Sequence, residues 1–207
     1  MDLKAYETVV RGWSTAGAVD WDLVSSMLAD SLCNTIRHFS LAAPNKEIYG
    51  IVIERTQSWN ACVHLNTEEG LIKGPSIFRP GTRGYEHMTD EEIRESLGRW
   101  YYEAWEFQLY EYVALPEIRG LNRLHYDLFE KLFSEQCDRA EPAKEPELTD
   151  LFLQSVARAT ALLEQSKELQ QLSKTPDFRL RLFDGGRHEW ETDEIMTGAR
   201  ASIGAGS

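Results

Sequence analysis

The chain has 207 residues, of which 42% are hydrophobic and 27% charged, and these proportions are those of an ordinary globular protein. Its three cysteines stand at unrelated spacings, which excludes a disulfide framework as the basis of the fold. The formal net charge of −12 argues against nucleic acid as a direct ligand, because phosphate binding needs a basic surface. No signal peptide or membrane-spanning run is visible, so we expect a cytoplasmic protein that does not bind membranes.

Two helices are predicted in the first 45 residues. Apolar residues recur at steps of three and four at Leu3, Tyr6, Val10 and Trp13. Asp20 is a good N-cap for a second helix, which Pro44 ends. Two runs rich in strand-forming residues follow, 48–54 and 59–65, and the short connection between them predicts an antiparallel hairpin.

Capping signals predict two further helix starts. Asn66 or Thr67 caps a short helical turn, with two glutamates in the first turn, where the helix dipole favours them. Thr89 and Glu92 form a capping box that opens a helix ending near residue 98. Alternation over 105–109 then predicts a strand, with Trp105, Phe107 and Leu109 pointing to one side.

The second half of the chain is predicted to be mostly helical. Pro116 sits in the first turn of one helix, residues 138–147 form a polar linker, and a long helix runs to about residue 173. Residues 178–182 and 188–192 are predicted to be the paired strands of a last hairpin, and 197–207 a disordered tail. The predicted fold is therefore a single α+β domain over 1–196, with helices packed on an antiparallel sheet.

The search for catalytic patterns finds none. The motifs GxSxG and HExxH are absent, and no two of the five histidines share a helical turn or alternate on a strand. The loop Gly81–Gly84 is too short for a phosphate cradle and lacks a lysine. We therefore expect no catalytic residue, no metal and no cofactor.

The most acidic part of the chain is also rich in aromatic residues. Residues 85–117 contain nine acidic and two basic side chains, and two Trp, four Tyr and one Phe fall within 100–112. Three interpretations stay open: core packing for Trp100, Trp105 and Phe107, a partner surface with an acidic rim, and a cleft that stacks sugars or bases. The first two are compatible, because one ring face can be buried while the tyrosines stay outside.

Two short motifs resemble a known group of proteins. The sequence NTEE after the second strand and Arg99-Trp100 followed by Trp105 resemble the motifs of a family of small uncharacterised bacterial α+β proteins. The resemblance covers about 20–183, and residues 101–104 depart from the family, which usually has Ser-Pro-like residues there. Members have no assigned enzymatic activity and often look like the immunity proteins encoded beside polymorphic toxins. The resemblance implies a partner that binds and blocks a toxin.

The predicted function is that of an immunity protein for a basic bacterial toxin domain, such as a nuclease, whose basic cleft an acidic surface complements. Two alternatives stay open: a hydrolase-like enzyme that uses carboxylates near 100–111, and a structural adaptor subunit. The predicted partner-binding residues are Glu91, Glu92, Glu95, Tyr101, Tyr102, Glu103, Glu106, Tyr110 and Glu111.

Overall fold

The structure, a computed structural model, describes residues 2–56, 59–71, 86–89, 91–93, 99–137 and 145–205. In chain order its elements are α1 Leu3–Val10, α2 Trp21–Ala42, β1 Ile48–Arg55, β2 Ala61–Thr67, α3 Tyr110–Ala114, α4 Pro116–Cys137, α5 Glu145–Gln165, α6 Lys167–Gln170, β3 Lys174–Asp184 and α7 Glu189–Gly204. Turns of 3-10 helix lie at Ala16–Ala18 and Tyr102–Ala104. The predicted α+β domain is confirmed.

Side-chain caps begin several helices where the sequence predicts them. The Asp20 carboxylate accepts the N–H of Leu23 at 2.9 Å at the start of α2. The Thr67 hydroxyl accepts the N–H of Gly70 at 3.0 Å and begins the helical turn 68–71. Each cap satisfies a backbone donor that has no partner inside its helix.

The predicted capping box at Thr89 is present. Glu92 accepts the Thr89 N–H at 2.6 Å, and the Thr89 hydroxyl accepts the Glu92 N–H at 3.2 Å. Residues 91–93 are helical, and the predicted end of this helix near residue 98 lies outside the described residues. The predicted linker 138–147 also lies largely outside them, and α5 already begins within it at Glu145.

The sheet has three strands in the order β2-β1-β3. The predicted antiparallel pairing of β1 with β2 is confirmed, with Ile53 opposite Val63. The prediction of a purely antiparallel sheet is wrong, because β3 runs parallel to β1, with Ile53 opposite Leu182. The chain between β2 and β3 is long, and its described residues are largely helical. Such a crossover allows a parallel partner, which a tight turn does not.

The two faces of the sheet differ in composition. Alternate residues of β1 and β2, such as Ile51, Ile53, Val63 and Leu65, are buried in the main apolar core, which we call the core face. α2 packs against α5, and α5 against α7, within the helical layer of this core. The opposite side, which we call the aromatic face, buries Tyr49, Val52 and Trp105 in a separate smaller cluster.

The C-terminal prediction is wrong. Residues 188–192 do not return as a strand but begin α7, where the Glu191 carboxylate accepts the His188 N–H at 2.7 Å. The predicted disordered tail is helical as far as Gly204. Ile195, Ala199 and Ile203 pack against the main core at helical spacing, and this burial stabilises a helix that is otherwise polar.

Two other element boundaries were predicted incorrectly. The long helix does not run to residue 173: it stops at Gln165, and Ser166 starts α6 by accepting the Leu169 N–H at 3.2 Å. The predicted strand over 105–109 is reduced to a single bridge between Phe107 and Leu65. Leu109 has a left-handed backbone, with φ of 47°, and this conformation ends any extended run.

Candidate functional site

The aromatic face of the sheet is closed by the two tryptophans of the W-x4-W motif. Trp100 and Trp105 both meet the Tyr49 ring edge to face, with centroids 5.4 and 5.6 Å apart. A Cβ on Gly50 would lie 2.5 Å from the Trp105 ring, so the absence of a side chain at Gly50 is what admits this ring. Trp105 and Tyr49 are buried, which confirms the core interpretation for Trp105.

The NTEE motif lies against the same rings. The buried Asn66 side chain donates to the Tyr49 hydroxyl at 2.8 Å and accepts the Thr67 N–H at 3.0 Å. Glu68 pairs with Arg99, and Glu69 pairs with Lys46 at 2.8 Å. The two motifs, about 30 residues apart in sequence, therefore form one tertiary unit around Tyr49.

Guanidinium groups stack on the rings of this unit. The Arg99 guanidinium lies 4.0 Å from the centroid of the Tyr49 ring, and its Nη atoms donate to Glu68 and to Asp177. The Arg179 guanidinium lies 4.4 Å from the Trp100 ring. Planar guanidinium groups gain from both ring stacking and carboxylate pairing, and here both occur at one place.

Among the described residues, the outer edge of β2 is covered by a single backbone bridge and by two side chains. The Leu65 N–H donates to the Phe107 carbonyl at 3.0 Å, and the Val63 N–H donates to the Glu111 carboxylate at 2.9 Å. The Asn122 amide exchanges two hydrogen bonds of 3.3 Å with the backbone of Ala61. Alternate backbone groups of the edge are thus satisfied, and the aromatic stretch owes part of its placement to this role.

Glu111 is wholly buried at this edge, so its predicted role as an exposed partner-binding residue is wrong. Burial raises the pKa of its carboxyl from the ordinary range to about 7, against hydrogen bonds that lower it. Nearby Glu54 raises this pKa further by like-charge repulsion. The preceding αL residue Leu109 turns the chain so that Glu111 points at the strand and not at solvent.

A histidine–glutamate pair lies on the aromatic face beside this edge. His64 lies 2.8 Å from the Glu54 carboxylate, and the Tyr102 ring packs against the imidazole with centroids 4.9 Å apart.

Burial raises the pKa of the Cys62 thiol to about 12, so this cysteine is not a thiolate nucleophile at neutral pH. The Tyr112 hydroxyl accepts from Asn122 at 3.1 Å and holds the same corner.

A cleft opens at the solvent side of the aromatic face, and we call it the aromatic cleft. It has a volume of about 260 Å³. Its lining consists of four aromatic residues, two glutamates, one arginine and two aliphatic residues: Trp100, Tyr101, Tyr102, Phe183, Glu103, Glu189, Arg181, Val52 and Leu182. Tyr101 donates a hydrogen bond to Glu103, and Arg181 pairs with Glu189.

The comparisons with known proteins identify no relative. No family model, curated protein or solved structure matches the chain.

Three of the predicted partner-binding residues, Tyr101, Tyr102 and Glu103, lie together at the cleft. Tyr110 lies apart from them, half-buried, with its hydroxyl 2.9 Å from the His38 Nδ1 atom. Glu106 is half-buried, 3.9 Å from the Lys46 ammonium. Glu91 and Glu92 are exposed, and Glu95 lies outside the described residues.

Sequence reasoning missed the residues that β3 and α7 contribute to the cleft. Arg181, Phe183 and Glu189 follow the aromatic stretch by about 80 residues, and the parallel pairing of β3 with β1 brings them beside it. The alternation over 178–182 was the available signal, because it places Arg179 and Arg181 on one side of a strand, and Phe183 falls on that same side. The sequence does not show whether β3 runs parallel or antiparallel to β1, and this direction decides which residues of β3 lie next to Tyr102.

Three other properties of the described residues bear on function: a second cavity, the side chains that could bind a metal, and the length and polarity of the helices. A larger cavity of about 480 Å³ lies among α2, α5 and α7 and contains none of the predicted site residues. In the ranges that the structure describes, no cluster of three His, Cys, Asp or Glu side chains could hold a metal ion. Over the same ranges, every helix is too short or too polar to cross a membrane.

Proposed function

We propose that the protein is an immunity protein that binds and blocks a basic bacterial toxin domain in the cytoplasm, with the aromatic cleft at the centre of its binding surface. The observation that carries the proposal is the exposed ring of Tyr101 at the cleft, together with the exposed ring of Trp190 in the first turn of α7. Tyr101 is 38% exposed, and Trp190, which follows the lining residue Glu189, is 60% exposed. Exposed Tyr and Trp side chains supply most hot spots of protein interfaces.

Charge gives the proposed surface its preference for a basic partner. Glu103 and Glu189 are exposed at the cleft, and the protein as a whole has a net charge of −12. A negative surface speeds the encounter with a positive one and repels other acidic proteins. A nuclease toxin has a basic substrate cleft, and an acidic protein bound there would exclude its phosphate-bearing substrate.

Neither alternative function has a comparable observation in its favour. The carboxylate with the raised pKa, Glu111, is buried at the strand edge and does not line the aromatic cleft. His64 and Glu54 form a close pair, but the cleft lining contains neither of them. An adaptor subunit would expose an apolar patch, whereas the cleft has charged residues among its rings.

The test is co-expression with the product of the adjacent upstream gene. We expect a complex that survives purification and an inhibition of the toxin that needs stoichiometric amounts of this protein. We also expect an association rate that falls steeply as salt is added, because the attraction is screened. An association rate that salt leaves unchanged would contradict the acidic mechanism.

Charge reversal locates the surface. The double variant Glu91→Lys/Glu103→Lys changes two exposed predicted residues and leaves Glu92, which caps Thr89, in place. Glu130→Lys/Glu194→Lys is the matched control, because both of its positions are exposed and its change in charge is the same. We expect only the first variant to weaken the complex, by roughly tenfold or more. Equal loss in the two variants would mean that net charge, and not this surface, drives binding.

A further inference from the structure

We propose that the aromatic cleft is a receptor for one arginine side chain of the partner. This inference rests on the proposed function, since it names the group of the basic partner that enters the site. A guanidinium group is planar, stacks on aromatic rings and donates paired hydrogen bonds to carboxylates. The cleft lining offers four rings and two carboxylates.

The same face of the protein already holds guanidinium groups in this manner. Arg99 stacks on Tyr49 at 4.0 Å while its nitrogens donate to Glu68 and Asp177. Arg179 lies 4.4 Å from the Trp100 ring, which also lines the cleft. The aromatic face thus holds two arginines of its own chain on rings, one of them with carboxylates beside it, and the cleft presents the same kinds of group to solvent.

The rings inside the cleft are available for such a contact. Tyr102 and Phe183 are half-buried, with their ring centroids 5.0 Å apart, and each keeps part of its surface open to solvent. Within the described part of the chain, no Lys or Arg side chain stacks over either ring. A guanidinium group of the partner can therefore stack on Tyr102 and Phe183 in the way that Arg99 stacks on Tyr49.

The charges of the cleft favour a cation over an anion. Arg181 is the positive group of the lining, and its guanidinium pairs with Glu189, so these two charges cancel. The Glu103 carboxylate accepts from the Tyr101 hydroxyl and lies within 4 Å of no Lys or Arg nitrogen among the described residues. Glu103 therefore keeps a negative charge that a guanidinium can meet.

The size of the cleft fits a side chain better than a free ligand. Its volume of about 260 Å³ lies below the range of about 300–1,000 Å³ that is typical of small-molecule sites. A single long side chain needs less room, and the exposed Tyr101 ring can pack on the partner beside it. The cleft then acts as an anchor pocket at the middle of the interface.

The experiment titrates the full chain with the peptide acetyl-Gly-Arg-Gly-amide and with its citrulline counterpart, which has the same shape without the charge. NMR of the ring protons of Trp100, Tyr102 and Phe183 detects binding at the cleft. We expect saturable shifts with the arginine peptide, and an affinity for the citrulline peptide that is lower by roughly tenfold. Equal shifts with both peptides, or no saturable shift of these rings, would overturn the inference.

Two variants and one competitor sharpen the result. Glu103→Gln should weaken the arginine peptide by roughly fivefold to tenfold, whereas Glu130→Gln on α4, none of whose residues lines the cleft, should leave it unchanged. Equal effects of Glu103→Gln and Glu130→Gln on the affinity for the arginine peptide would contradict an arginine pocket at the cleft. The peptide acetyl-Gly-Glu-Gly-amide should not shift the rings; if it binds instead, Arg181 governs the cleft and the inference is wrong.

The peptide result and the toxin result are separable. A toxin complex that forms while the arginine peptide fails to bind overturns the arginine pocket and leaves the proposed function standing. If the arginine peptide binds saturably but no toxin complex forms, the arginine pocket is supported, and a toxin is not the protein that supplies the arginine.

Discussion

The two faces of the three-stranded sheet are built by different means. The core face is covered by helices and buries mainly aliphatic and phenyl side chains, such as Ile53, Val63 and Phe39. Among the described residues, the aromatic face is covered by a short irregular segment that carries Trp100 and Trp105, and it mixes rings with arginines and carboxylates. The rings of Tyr102 and Phe183 on this face keep part of their surface exposed, and the proposed binding site is there.

The largest expected effect tests whether the aromatic face is structural beneath its surface. Trp105→Ala removes a buried ring that packs on Tyr49 and Gly50, and we expect the free energy of unfolding to fall by about 3–5 kcal/mol. Trp190→Ala, at a ring that is 60% exposed, is the control and should change it by less than about 0.5 kcal/mol. Urea denaturation measures both, and similar losses would contradict the division into a buried and an exposed layer.

The second prediction concerns the pH dependence that Glu111 gives to the sheet edge. Its pKa is about 7 in the folded protein and about 4.3 in an unfolded chain. Below both values the carboxyl is protonated in either state; as pH rises through this window only the unfolded chain releases the proton, so stability falls. The expected loss from this group is roughly 3–4 kcal/mol by pH 8.

Glu111→Gln removes that titration and keeps an oxygen that can accept the Val63 N–H. We expect a flatter curve of unfolding free energy between pH 5 and 8 than in the unchanged protein. Thermal unfolding across this range checks the slope, and a variant with the same slope would show that another group causes it. Glu103→Gln, at an exposed carboxylate, is the comparison.

The third prediction concerns a buried hydrogen bond in the helical layer. Tyr6 and His125 form a buried hydrogen bond of 2.7 Å, and burial lowers the pKa of His125 to about 3. Tyr6→Phe leaves the imidazole without this partner and should lower the free energy of unfolding by about 1–3 kcal/mol at pH 7. Tyr126→Phe removes an exposed hydroxyl that contacts Glu130 and should have little effect in the same chemical denaturation assay.

His125 gives the helical layer the opposite pH response to the sheet edge. Its folded pKa lies below its ordinary value of about 6.5, so stability falls as pH drops below 6.5 and the unfolded chain takes up the proton. His125→Gln should reduce this acid-side loss and leave the loss between pH 5 and 8 at the Glu111 edge in place. If His125→Gln changed the unfolding free energy in both pH ranges, the titration of His125 and that of Glu111 would not be independent.

The smallest expected effect is on stability at the cleft itself. Glu103→Gln alters an exposed residue, and we expect a change in unfolding free energy of no more than about 0.5 kcal/mol. Calorimetry of the variant checks this value. A larger loss would place Glu103 in the structural layer of the aromatic face, and its effect on binding would then reflect folding.

Local signals in the sequence were sufficient for much of the fold. The caps at Asp20, Thr67 and Thr89 and the hairpin of β1 with β2 were predicted, because each depends on residues close together in the chain. Predictions failed where distant contacts decide. Residues 188–192 begin a helix because Ile195, Ala199 and Ile203, whose helical spacing is visible in the sequence, are partly buried against the helical core, and that burial depends on residues far away in the chain.

The candidate site divides in the same way. The sequence by itself determined that rings and carboxylates are concentrated in 99–117, and that Tyr101, Tyr102 and Glu103 are neighbours on a short segment. Only the tertiary structure decided that Glu111 closes a strand edge, and that Arg181, Phe183 and Glu189 complete a cleft with those neighbours. The reason is physical: burial and strand pairing join residues far apart in the chain, whereas composition and spacing record only what lies nearby.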